Sequence, residues 1–436
     1  MAASPFQEGC AMESHRPASL LSGENAREDE VRSLLLRVLD GSVRPDPYPV
    51  FNRIREAGPV WWDEGTVVFS SYRHCAAVLR EPDAVARRAG GCPVGSNEQP
   101  ELLAMSVAGS PEHVWLRRLV SRALTPERVR ALVPFVRARV DDLLDGVAAR
   151  GRLEVVTDLA YPLPAAVICR LLGLPQRDAS WLHRQALLLS PALDPHPLLT
   201  GSAPPGGDAR RLAEEELTAY LDALVRARGA DPGEDLLSVL VGAAAEARSG
   251  AAQVAAACRY LLVAGHETTV DLVSNGVLAL LRAPHELQAV QRDTQYAGQV
   301  VEEVLRLDPP VQLLHRRAAA DLDICGTRVP VGTTMVLLLA AAHRDPDVWD
   351  SPEVFSPGGA TAMHTAFGLG PHACPGEPVA RLIAEAVLAR FGQRVTGARF
   401  ATGSPSYRPN VTLRGLRALW VDADGFGGRE LPWPSS

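Results

Sequence analysis

One cysteine in this 436-residue chain has neighbours that could make it a ligand or a nucleophile. Phe367 to Gly376 reads Phe-Gly-Leu-Gly-Pro-His-Ala-Cys-Pro-Gly. Glycine and proline at this density exclude a helix or strand interior and predict a loop of fixed, partly left-handed turns. Cys374 closes it. A Cys-Pro-Gly turn leaves the next backbone N–H groups free to point back at sulfur, and a helix from Pro378 onward adds its positive end, both favouring thiolate over thiol. A lone free cysteine is otherwise most often a small buried side chain. Three other sets carry reactive or charged groups at helical spacing. His113 and Arg117 stand four apart behind the start signal Ser110-Pro111-Glu112 and share one helix face, which reads equally well as a solvated polar face. Ala264-Gly265-His266-Glu267-Thr268-Thr269 lies mid-helix, where Gly costs ~1 kcal/mol and a Thr hydroxyl can bond the carbonyl one turn back. Such local conflict marks either a working site or a close contact of small residues. Glu303 and Arg306, three apart, are close enough to pair, a spacing that any amphipathic helix can carry.

The elements that position these residues are mostly helices. Periodicity and capping predict helices at 28–39, 48–57, 72–80, from 110, 126–149, 165–172, 178–189, 209–228, 235–246, 251–282, 285–292, 300–307 and 379–391. The longest, from Ala251 to Arg282, spans roughly 48 Å at about 1.5 Å per residue. Val60–Trp62 and Thr66–Ser70 predict a hairpin, and Val311–Arg317, Leu322–Val329 and Thr334–Leu339 read as strands. Residues 87–103 form a long Gly- and Pro-containing loop, of a length that is usually functional. Residues 191–208 read as a mobile connection. Residues 1–27 lack periodicity and are expected as a disordered tail, 28–422 as one domain, and 423–436 as a short polar tail.

Composition narrows the class. The hydrophobic fraction is 47%, only 5% of residues are aromatic, and the formal charge is −7. This acidic balance argues against a nucleic-acid binder. All 44 basic residues are Arg. The seven cysteines are scattered without close pairs, which argues against a zinc site or a secreted disulfide framework and for a reducing cytoplasm. No signal peptide and no uninterrupted run of ~18 apolar residues is evident.

The loop from Phe367 to Gly376 resembles the haem-binding loop of the cytochrome P450 family, Phe-Gly-x-Gly-x-His-x-Cys-x-Gly, with every fixed position filled. Three further motifs resemble the same family in the same order. The stretch from Ser110 resembles its haem-propionate helix, with Gly109 in place of a usual Asp and Trp115 in place of a common Arg. Ala264 to Thr269 resembles its oxygen-binding helix, and Glu303-x-x-Arg306 its core ion pair. Ala341-Ala-His-Arg-Asp-Pro also resembles a family segment, with His343 for Asn. An Arg that the family commonly pairs with the Glu-x-x-Arg motif is Val354 here, and a second frequent Arg is Gly359. Either Arg344 or water is expected to complete the pair, unless this region folds differently.

The resemblance implies a mainly helical, single triangular domain with a small β region at one edge, holding haem b through Cys374. It implies that His113, Arg117, Arg316 and His372 hold the propionates. Phe367, Gly368 and Gly376 would shape the loop, Ala264 and Gly265 would meet the haem, and Glu267 and Thr268 would deliver protons. Val311, Leu314, Asn410 and Val411 would border the substrate. The implied activity is a monooxygenase drawing electrons from NAD(P)H through a ferredoxin or flavodoxin and its reductase, acting on a small, mostly apolar molecule in bacterial secondary metabolism. Oxidative coupling, ring closure, peroxide use and a non-enzymatic haem sensor are the alternatives. Metal binding by His372 and Cys374 alone has too few ligands.

Overall fold

The computed structural model describes residues 23–85, 115, 117–118, 120–121, 124–193, 206–246, 250–359, 362–401, 405–430 and 433. Helices α1 (Gly23–Leu39) and α2 (Tyr48–Ala57) lead into the hairpin β1 (Val60–Asp63) and β2 (Thr66–Phe69), then α3 (Tyr72–Arg80) and β3 (Ala84–Val85). After the described part of 115–121 come α4 (Pro126–Ala148), β4 (Arg152–Glu154), α5 (Pro162–Leu172), α6 (Ala179–Leu189), α7 (Gly207–Ala230) and α8 (Leu236–Glu246). The 32-residue α9 (Ala251–Arg282) follows, with α10 (Pro284–Arg292) and α11 (Tyr296–Leu307). Strands β5 (Leu314–Ala318), β6 (Leu322–Ile324), β7 (Thr327–Val329) and β8 (Thr334–Leu337) precede the single turn α12 (Leu339–Ala342) and the long α13 (Glu377–Arg394).

The main sheet runs β1-β2-β8-β5-β3, with β2 and β8 parallel and the other pairs antiparallel. Alternation along β2 and β8 explains why it needs cover on both faces. Val68 and Val336 face the apolar surface of α1 and α2, while Val67, Phe69, Met335 and Leu337 pack with Cys75, Val78 and Leu79 of α3. The large core is helical. There α9 packs against α5, α6, α7 and α13. Gly276 permits the α9–α13 approach, since a Cβ there would lie 2.9 Å from Leu388 Cδ1.

Several expectations change. Helix α1 begins at Gly23, so the stretch just before residue 28 is helical rather than disordered. Strand β5 starts at Leu314, and Val311 instead forms an isolated bridge with Leu413. The described residues of the expected tail, 423–430 and 433, do not hang free. Gly425–Phe426 pairs with Val395–Thr396, Arg429 bonds Asp142 at 2.7 Å, and Trp433 Nε1 donates to Asp141 at 3.1 Å. The stretch Val155–Leu172 has the length and composition of a membrane span, but two-thirds of it is buried against the protein's own core. The loop expected at 87–103 and most of the 191–208 connection lie outside the described residues.

Candidate active site

The middle of α9 carries the first clue. From Val254 to Leu278 the helix is buried except at Tyr260, Ala264, Gly265 and Thr268. Tyr260, Ala264 and Thr268 recur every four residues and therefore form one stripe along the helix. This stripe retains accessible surface where the rest of the helix face is buried. Thr268 Oγ1 donates to the Ala264 carbonyl at 3.0 Å, and Thr269 Oγ1 to the Gly265 carbonyl at 2.8 Å, so both hydroxyls are satisfied without interrupting the helix.

The glycine-rich loop holds the second clue. Its ends are tied by the Cys374 N–H to the Phe367 carbonyl at 2.7 Å, and its turns by Gly368 N–H to Thr365 O and Ala373 N–H to Gly370 O. His372 lies in the short turn Gly370–His372, and Gly376 caps α13. Cys374 keeps an accessible surface although it sits deep enough for burial to push its thiol up. The N–H groups of Gly376 and Glu377 and the charge of Arg117 pull in the other direction, against the Glu377 carboxylate. Burial wins. The N–H groups of the turn favour the thiolate as expected, and a bound metal would add to them against the cost of burial.

The guanidinium groups supply the third. Arg117 Nη1 donates to the Ala373 carbonyl at 2.7 Å, next to Cys374. Arg316 is buried in β5, with one bond to the His315 carbonyl at 2.8 Å and no carboxylate partner among the described residues. Burial pulls it down to about 10. A buried, uncompensated cation is costly unless an anion joins it. Cys374, Arg117 and Arg316 all act on the Tyr260 phenol, which burial pushes up to about 12, so the loop, both cations and the α9 stripe converge. Tyr260 was missed in the sequence, although it sits one turn before Ala264 on the same face. An accessible thiol, Arg117 bonded to the residue before it, a buried Arg316 and the α9 stripe that all three influence fit a haem with its propionates. His113 lies outside the described residues.

The Glu303–Arg306 pair is bidentate, at 2.8 and 2.7 Å, and both residues are buried. Arg344 does not complete it. That side chain turns instead to the Leu307 carbonyl at 2.8 Å and to Glu353, and lies over the Tyr48 ring. Backbone groups take the missing role: Arg306 donates to the carbonyls of His343, Pro352 and Val354, and Ser356 N–H donates to Glu303. Val354 thus contributes its carbonyl while its side chain is exposed.

Glu267 is buried and ion-paired with Arg408, whose guanidinium also meets Asp271 and donates to the Tyr161 hydroxyl at 2.8 Å. Arg408 carries no local sequence signal; it comes from a turn far along the chain. Of the residues expected at the substrate, Val311 and Leu314 pack beside the α3 face of the sheet. Asn410 instead uses its side-chain oxygen to accept the Leu413 N–H at 2.8 Å, and with Val411 it borders a recess shared with Val38, Pro47 and Phe51.

The sequence pattern of the family described as cytochrome P450 matches residues 208–395. The chain is 32% identical to the biotin biosynthesis cytochrome P450 of Bacillus subtilis over 387 residues, covering 86% of this chain and 96% of that protein. It is 35% identical to the cytochrome P450 monooxygenase PikC of Streptomyces venezuelae, covering 86% and 90%. Mycobacterium smegmatis CYP164A2, solved with econazole bound, superposes with a TM-score of 0.83 at 42% identity, over 90% of this chain and 100% of that one.

Proposed function

The chain belongs to the cytochrome P450 family, whose members are monooxygenases that bind haem through a cysteine thiolate, and from that premise we propose that it hydroxylates or epoxidises a small, mostly apolar molecule. For hydroxylation the balance is one substrate C–H, one O₂, one NAD(P)H and one proton, giving the alcohol, water and NAD(P)⁺. The electrons come through a ferredoxin or flavodoxin with its reductase. Bacterial relatives support a place in bacterial secondary metabolism, and the scattered cysteines support a cytoplasmic setting.

Bound haem b supplies reductive activation of O₂, with a thiolate ligand that favours O–O cleavage. In this reading Cys374 is that ligand, steadied by the N–H groups of Gly376 and Glu377. Arg117 and Arg316, with His113 and His372, hold the propionates by charge-assisted bonds. Glu267 and Thr268 move protons to the side of the site that faces α9. The observation that carries the reading is the accessible stripe Tyr260–Ala264–Thr268, electrostatically joined to an accessible but deep Cys374.

Thr268→Ala tests the reductive chemistry. With a surrogate ferredoxin and reductase, and a substrate found by difference-spectrum screening, the variant is expected to keep its fold and substrate binding. Product per NAD(P)H should fall roughly tenfold, less than the roughly 10²–10⁴-fold that a proton-transfer group contributes to rate, with hydrogen peroxide released instead. Unchanged coupling would overturn this use of the site.

A further inference from the structure

Glu267 is enclosed, which raises the question of where its protons come from. One carboxylate oxygen, Oε2, is taken by Arg408. The other, Oε1, is buried without a hydrogen-bond partner among the described residues, and it lies 3.7 Å from His266 Nδ1, which is buried and unpartnered in the same way. The far nitrogen of that ring, Nε2, is 2.8 Å from His183 Nδ1 on α6. The two rings are stacked, with centroids 4.7 Å apart. His183 is only half-buried, so the row runs from near the surface to the carboxylate.

We propose that His183 and His266 are the path by which protons reach Glu267, with Arg408 as the positioning residue that turns Oε1 toward it. The proposal rests on the reading of Glu267 and Thr268 as the proton-delivering pair. A proton arrives at His183 Nε2. The His183 Nδ1 proton passes to His266 Nε2, and the His266 Nδ1 proton passes to Glu267 Oε1, a gap closed by a small side-chain rotation. Both rings end neutral in the other tautomer, and ring flips reset them.

The surroundings suit conduction rather than storage. Facing the row are Tyr161 at the start of α5, with its ring 4.6 Å from His183, Arg184 beside His183, Arg408 from the C-terminal turn and Asp271 one turn along α9. Burial and the neighbouring His266 hold His183 down at about 4, so it does not trap a proton. Burial, aided by Glu267 and opposed by Arg408, pushes Asp271 up to about 8. Asp271 thus competes less for the charge of Arg408 than an ordinary carboxylate would.

Two measurements on the ferric holoprotein and its reconstituted turnover test the path. In long-range proton–nitrogen spectra of histidine-labelled protein, assigned with His183→Gln and His266→Gln, both rings should be neutral at pH 7, with His266 protonated on Nδ1. A charged His266, or one with its proton fixed on Nε2, would overturn the path. In turnover, His183→Phe and His183→Gln should both lower product per NAD(P)H by about tenfold, less than the roughly 10²–10⁴-fold that a group transferring the proton directly contributes, and raise the solvent isotope effect. If Thr268→Ala uncouples and both His183 variants behave as wild type, the path is wrong while the function stands. If Thr268→Ala leaves coupling unchanged, the function fails and takes the path with it.

Discussion

His343 is fully buried, and its Nε2 accepts the Thr365 N–H at 2.9 Å. Burial, together with the charges of His364 and Arg306, holds this ring well below its ordinary value of 6.5. The folded value lies below the unfolded one, so its stabilising contribution is whole above pH 6.5 and drains away as pH falls below it. The loss is at most about 1.4 kcal/mol per pH unit for one group. His183 has the same sign and adds to the slope. Asn at position 343 could still accept from Thr365 but takes up no proton on unfolding. His343→Asn is therefore expected to show a smaller drop in melting temperature between pH 7 and pH 5 than the wild type, and an equal drop would show that His343 does not drive the acid limb. At this scale the sequence was informative where a residue belongs to a contiguous motif, as Cys374, Thr268 and Arg306 do. It was silent for Tyr161, His183 and Arg408, which reach Glu267 only through the fold.

Helix α3 and the cysteine loop meet at Gly370, whose φ is +65° and whose added Cβ would lie 2.8 Å from the Leu79 carbonyl oxygen and 3.2 Å from Arg80 Cα. Both neighbours are backbone, so neither can move aside cheaply. Gly370→Ala should cost about 1–3 kcal/mol in strain and shift Cys374, giving a lower melting temperature and a haem-poor protein. Wild-type haem content would show that the loop absorbs the methyl group. The loop's turns were legible because glycine and proline punctuate it, and α9 was legible because a long helical pattern runs up to Pro284. The completion of the Glu303–Arg306 pair was not legible. Backbone carbonyls from 343–354 serve Arg306, and carbonyl direction depends on the path of the chain rather than on residue type.

Across the whole molecule, the C-terminal segment fastens α4 to α13. Arg390 and Arg394 are almost wholly buried, both pair with Asp141, and Trp433 lies over Arg390 at 4.6 Å while donating to Asp141 at 3.1 Å. Trp433→Ala removes a desolvated cation–π contact of about 2 kcal/mol and a hydrogen bond of about 1 kcal/mol. Thermal or denaturant unfolding should report a loss near 3 kcal/mol with haem binding retained, whereas no change would make the segment a passive tail. Residues 423–436 read as polar and terminal because nothing nearby in sequence announces Asp141. The helical class and the small sheet were legible from periodicity; the long-range ion pairs that close the molecule were not. The account as a whole depends on Cys374 and haem iron. It is tested most directly by reducing the purified holoprotein under carbon monoxide, for wild type and Cys374→Ala. The account predicts the red-shifted Soret band of thiolate ligation in the wild type and its loss in the variant. An imidazole-type spectrum in the wild type, or the same thiolate band in Cys374→Ala, would contradict it.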